Sequence, residues 1–343
     1  MGLFQNLIVS FTLLGLSLLS LEACDLLPEG NESVSCFHMN SVPHIRNSSS
    51  QFGGLIEGAS VAPDGSIFAT NWDNQIHQLG QAFPTQEILY SDPSTNSYVN
   101  GIRFLSNTTA YVADVVNHRV IQLTLAKVNS SWTVTGNSTF CANQSMLQPN
   151  DLTVSSNGVV FTSGMNWVSD TDDQDGDIWS CSDGVASRLE VMGRTNGIDL
   201  SPDESALYVS ESYNVAGIPT EQKIWKYLVN GTQIANKTIF ADFEVLNETV
   251  SHDIDGIKTD TQGNLFVTRY GGSRVVVLNP DGKIIGRIAV SFNNPTNLEF
   301  GGPNGTTLFI VGQCFDQGTP TGRGCVDSIE MRHAGRSWTM LNA

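Results

Sequence analysis

Apolar and polar residues alternate along most of this chain in short runs of Val, Ile, Phe, Tyr and Thr, the period of half-buried β-strands; only the opening stretch suggests anything else. The runs recur as one unit: a polar residue usually followed by Gly, then an alternating strand, a turn such as P-D-G or N-G, and a second strand. Six copies can be aligned: EGASVAPDGSIFATN from Glu57, NGIRFLSNTTAYVAD from Asn100, NDLTVSSNGVVFTSG from Asn150, NGIDLSPDESALYVSES from Asn196, DGIKTDTQGNLFVTR from Asp255 and NLEFGGPNGTTLFIVG from Asn297. Their starts lie 43, 50, 46, 59 and 42 residues apart. That spacing predicts an all-β, six-bladed β-propeller with four-stranded antiparallel blades around a central channel. No helix is expected beyond the leader.

In such a fold each innermost strand starts at one mouth of the channel, so the six leading residues form a ring there. The small residue that follows most of them suits the crowded centre. Glu57, Asn100, Asn150, Asn196, Asp255 and Asn297 all carry side-chain oxygen, and none offers sulfur or imidazole. Turn preference explains an Asn or Asp at one strand start, but six oxygen donors at one register point to a hard cation. Ca²⁺ fits best, because it tolerates irregular coordination; Mg²⁺, Mn²⁺ and Zn²⁺ are the alternatives. Loops after each second strand emerge at the same mouth. They nominate Trp72, Arg103, His118, Trp167, Tyr213, Arg269 and Tyr270, with Asn100 and Asn297, as a substrate-contacting set.

The blocks IEGASVAPDG, QPNDLTVSSNG, TNGIDLSPDESALYVSES, DIDGIKTDTQGNLFVTR and NPTNLEFGG resemble blade motifs of the SMP-30/gluconolactonase/luciferin-regenerating enzyme family, over roughly residues 52 to 312. The resemblance implies a metal held by Glu57, Asn150, Asn196 and Asp255, and a calcium ring like that of diisopropylfluorophosphatases and paraoxonases. It also implies hydrolysis of a lactone or ester. Asp255 is then the first candidate for general base, with His252 and Asp151 as second choices. Two positions depart from the family pattern: Ala59 replaces the usual Pro, and Gln148 replaces an Arg that helps bind sugar acids. YVADVVNHRVIQL resembles an NHL-repeat blade, so a non-catalytic ligand-binding propeller is an alternative. A strictosidine-synthase-like condensation or cyclisation is another. The absence of G-x-S-x-G, P-loop and H-E-x-x-H motifs disfavours a serine nucleophile.

Compartment and partners come from other features. Residues 1–23 read as a signal peptide, leaving residues 24–343 as a single propeller domain. Ten N-x-[ST] sequons, at Asn31, Asn47, Asn107, Asn129, Asn137, Asn143, Asn230, Asn236, Asn247 and Asn304, suggest a secreted glycoprotein. Six cysteines without a C-x-x-C suit disulfides, and proximity suggests Cys24–Cys36, Cys141–Cys181 and Cys314–Cys325. A net charge of −17 argues against nucleic acid as partner. A monomer without a membrane span after leader removal, acting on a small molecule, is the expectation. The acidic run from Ser169 to Asp177 fails the EF-hand pattern and reads as a solvated lip.

Overall fold

The computed structural model describes residues 20–23, 35–46, 49–73, 76–84, 86–91, 97–314 and 323–343. The repeats form six sheets, and the chain is a six-bladed β-propeller. The innermost strands are Leu55–Val61, Val99–Phe104, Pro149–Val154, Arg194–Leu200, Asp253–Thr259 and Asn294–Gly301, of blades 1 to 6 in order. Each packs against the next, and the sixth packs against the first.

Packing between blades is itself repetitive. Ala59, Ile102, Leu152, Ile198, Ile257 and Leu298, equivalent positions on the six inner strands, each enter a different apolar cluster between neighbouring blades. On the second strands Phe68, Tyr111, Phe161, Tyr208, Phe266 and Phe309 fill the interface with the following blade. Burial on both faces of every sheet supplies most of the driving force, at about 25 cal/mol per Å² of apolar surface.

Three features were not visible in the repeat pattern. The outermost strand of blade 6 is Val42–Ile45, from ahead of blade 1, and its antiparallel pairing with Arg323–Glu330 closes the ring. Blade 5 is extended by Ser35–Asn40, parallel to Ile284–Ala289, and by Ser20–Ala23 beyond it. A helix, Arg336–Leu341, follows the last blade, contrary to the expectation of none; six residues are too few for helical periodicity to register. Among the described residues no helix is long and apolar enough to cross a membrane.

Cys141–Cys181 ties the outer strand of blade 2 to the third strand of blade 3, and Cys314–Cys325 joins two strands of blade 6, both as proximity suggested. Cys24, Asn31, Asn47 and most of the expected leader lie outside the described residues. Of the other sequon asparagines, Asn143 is half-buried and the rest are exposed. Asn129, Asn236 and Asn247 occupy left-handed turns at φ 50°, 52° and 56°, a conformation Asn accepts more readily than most residues.

Candidate metal centre

Each innermost strand slips register where it reaches the mouth: between Glu57 and Ser60, Val99 and Ile102, Pro149 and Leu152, Thr195 and Ile198, Ile254 and Ile257, and Pro295 and Asn297. Such bulges re-aim side chains. Below them the strands pair regularly again, which fixes equivalent positions. Ser60, Arg103, Thr153, Asp199, Lys258 and Glu299 lie opposite the six aromatic residues Phe68, Tyr111, Phe161, Tyr208, Phe266 and Phe309. Counting back from them, the top layer is Glu57, Asn100, Asn150, Asn196, Asp255 and Thr296. Asn297, aligned with this ring from sequence, belongs one layer lower. Hydrogen bonds agree: Ser163 donates to the Asn196 carbonyl, as Thr268 does to the Thr296 carbonyl.

The second layer is Gly58, Gly101, Asp151, Gly197, Gly256 and Asn297. Glycine is required by close approach. A Cβ at Gly58 would stand 2.2 Å from the Asn100 carbonyl oxygen, and one at Gly197 would stand 2.3 Å from that of Asp255. Four glycines leave room at the axis for two side chains, and those two meet. Asn297 Nδ2 donates to Asp151 Oδ2 at 3.3 Å, from opposite blades. Arg103 (3.3 Å) and Lys258 (3.5 Å) also hold the Asp151 carboxylate, and Lys258 donates to Asn297 Oδ1 at 3.0 Å. This cluster floors the channel beneath the ring.

Cations are concentrated at and below the floor. Arg103 and Lys258 hold Asp151, and Arg336, from the C-terminal helix, bridges Glu204 at 2.8 Å and reaches to 3.8 Å from Asp199. Glu299 is pushed up to about 7 by burial, with Arg103 and Lys258 opposing the shift. Above, Glu57 and Asp255 are each 7% exposed, and neither forms a salt bridge among the described residues. Burial is the largest cause holding both well above the ordinary carboxylate range. Asp151 repels Glu57, and Glu57, Asp253 and Asp151 repel Asp255. Lys258 offsets part of this for Glu57 and Arg194 for Asp255, but Lys258 is committed to Asp151 and Asn297, and Arg194 to Asp253 and Asn214.

Of the other ring side chains, Thr296 is spent, its hydroxyl donating to the Ile56 carbonyl, while the three asparagines are not. Among the described residues no side-chain hydrogen bond engages Asn100, Asn150, Asn196 or Asp255, and Glu57 receives only the Gly58 N–H. Buried polar oxygens normally find partners. No three His, Cys, Asp or Glu side chains cluster as a metal site among the described residues, so a cation here would draw on the amides. Two carboxylates and neutral amide oxygens converging from separate blades form a donor set that fits Ca²⁺.

The mouth candidates divide. Tyr270 stands by the ring, its hydroxyl made less acidic by burial and then by Asp255 and Glu57. Trp167 is exposed on the rim. Tyr213 donates to Asp173 and covers Gly193. His118 is spent on the Met146 carbonyl at 2.6 Å. Of Trp72 only the backbone is described, in the second strand of blade 1. Two expectations are corrected. Arg103 lies in the third layer at 1% exposure, and Arg269 is sealed at 0% between the Phe243 ring and the Thr249 carbonyl, so neither can reach a ligand at the mouth. Asp151 is likewise inaccessible, at 1%. His252 packs on Gly272, its Nδ1 buried without a partner, and burial with Arg274 and Arg269 lowers its pKa. Lys258, Asp199, Glu299 and Arg336 were missed; charged residues at alternate positions of otherwise apolar inner strands were the available signal for the first three.

Residues 129–313, just over half of the chain, match the family model described as SMP-30/Gluconolactonase/LRE-like region. The chain belongs to this family. Similarity to individual family proteins is partial. A gluconolactonase of Zymomonas mobilis is 32% identical over 174 residues, 47% of either chain. A diisopropyl-fluorophosphatase of Loligo vulgaris is 35% identical over 101 residues, 28% of this chain and 30% of its own. The chain thus spans half or less of these relatives' length. In structure, a luciferin-regenerating enzyme superposes with a TM-score of 0.65 at 17% identity, covering 85% of this chain and 97% of that one. A calcium-binding regucalcin from Agrobacterium tumefaciens does so at 0.66 and 16%, covering 87% and 96%. At such identities these structures speak for the fold alone.

Proposed function

We propose that this SMP-30/gluconolactonase/LRE-like protein is a secreted hydrolase of a lactone or ester that depends on a divalent cation, best met by Ca²⁺, at the channel mouth. One observation carries the proposal: Glu57 and Asp255 are both buried, Glu57 raising the pKa of Asp255, and among the described residues neither is salt-bridged, whereas Asp151 on the floor below is held by two cations. Glu57, Asn150, Asn196 and Asp255 would hold the ion, with Asn100 lining the remaining arc. Bound there, it would polarise the carbonyl of the substrate and gather the negative charge that develops on its oxygen.

The chain's own groups do the rest. The Asp151–Asn297–Lys258 floor keeps water from entering beneath and fixes the register of the ring. Asp151 is locked by two cations and positions the inner strands, which leaves Asp255 as the proton acceptor at the mouth and His252 as the second candidate. Named relatives that include a gluconolactonase and a diisopropyl-fluorophosphatase support hydrolysis. Disulfides and exposed sequons support secretion. A panel of lactones and aryl esters, assayed with and without EDTA and beside Asp255→Ala, tests the reading. Turnover abolished by both treatments is expected; turnover that survives both refutes it.

A further inference from the structure

Two mouth loops, the blade 3 loop over residues 166–175 and the blade 4 hairpin over residues 213–219, are stitched to each other. Thr171 N donates to the Asn214 carbonyl at 3.0 Å and Gly217 N to that of Ser169 at 2.7 Å. Asn214 N donates to Thr171 Oγ1 at 3.1 Å and Ala216 N to Asp170 Oδ1 at 3.0 Å. On this joined surface stand Trp167, Val168, Val215 and Ile218, exposed by 54, 37, 59 and 57%. These are four of the twelve large apolar side chains exposed among the described residues, gathered on one sector of the rim.

The roots of both loops adjoin the strands that carry the candidate metal centre. The blade 3 loop continues the strand that pairs with Pro149, next to Asn150. Tyr213, at the root of the hairpin, covers Gly193 just ahead of the strand that carries Asn196. Charge selects what can lie there. Mouth cations Arg119, Arg194 and Arg274 are each tied to a carboxylate, Asp114, Asp253 and Glu248, so none of them is left to receive an anion. Gln148 adds a neutral amide whose Oε1 is buried without a partner.

We propose that this ledge is an acyl subsite, taking the alkyl chain of an uncharged lactone or ester whose carbonyl end faces Glu57 and Asp255. The proposal rests on the hydrolase reading and specifies its substrate as lipophilic. A chain lying on an open ledge is covered on one side, so kcat/KM should rise about twofold per added methylene, against about fourfold for full burial.

The test compares γ-butyrolactone with the series up to γ-undecalactone, in calcium, for the wild type and for Val215→Ser/Ile218→Ser. Both side chains are exposed, and an unchanged melting temperature confirms that the variant folds. Binding of the same two lactones is followed in parallel by tryptophan fluorescence. Preference for the longer lactone in the wild type, lost in the variant by either readout, supports the ledge. If it appears in binding without turnover, the hydrolase reading fails and the ledge stands. Equal kcat/KM along the series overturns the ledge and leaves the hydrolase intact, and failure to bind γ-undecalactone overturns the ledge. A variant that changes only co-sedimentation with phosphatidylcholine vesicles, or only elution volume, also overturns it, in favour of a lipid surface or a second copy.

Discussion

Asn297 and Asp151 hydrogen-bond across the channel axis, Nδ2 to Oδ2 at 3.3 Å, although their blades stand on opposite sides of the ring. Side chains from opposed blades can therefore touch one layer below Glu57 and Asp255. Convergence of that order is what a cage for a single ion requires, and it follows from the glycines at the other four positions of the layer.

Lys258 is the cation that this floor depends on. Lys258→Met leaves Arg103 as the one cation on Asp151 among the described residues and deprives Glu299 of a neighbouring positive charge, so urea unfolding should show a loss of about 3–5 kcal/mol, the usual cost of breaking a buried pair. Adding Asp151→Asn should recover a large part of it. Additive losses in the double variant would show that the two residues do not act as a unit.

Glycine at position 197 is set by the neighbouring blade. Gly197→Ala drives a methyl group to 2.3 Å from the Asp255 carbonyl oxygen, and should lower the melting temperature while weakening calcium binding. Gly136→Ala, where a Cβ would meet Thr124 at 3.8 Å, is the matched control and should do neither. Thermal melts with and without calcium distinguish the two.

Asp177 gives the pH dependence a definite sign. Its carboxylate accepts from Leu147 N and Trp179 Nε1, pinning the approach to Asn150, yet burial pushes it up to about 6. The folded state then holds the proton more tightly than the unfolded chain. Stability from this group is present below pH 4 and is lost as pH rises through about 6, by about 3 kcal/mol at most. Asp177→Asn should flatten that decline in melts taken between pH 4 and 7. An unaltered pH profile would show that Asp177 ionises normally.

The propeller was legible because period-2 strands and turn residues recur in every blade, and four glycines marked the layer beneath the ring. Asn297 was set one layer too high for a local reason: alignment on oxygen-bearing residues ignores the bulges, and it takes the pairing of Glu299 with Phe309 to show that Thr296 is equivalent to Asp255. Arg103 and Arg269 suggested anion binding because an arginine near a mouth loop looks available. Their burial against Asp151 and Phe243 depends on packing between blades, which no single repeat contains. Ring closure by Val42–Ile45 was hidden for the same reason, since it joins segments from the two ends of the chain.

Calorimetric titration of calcium into metal-free protein, wild type beside Asp255→Asn, is the measurement closest to the central claim. One ion bound per wild-type chain, with binding lost in the variant, is the predicted result. Equal calcium uptake by both proteins would place the ion away from the ring and contradict the account.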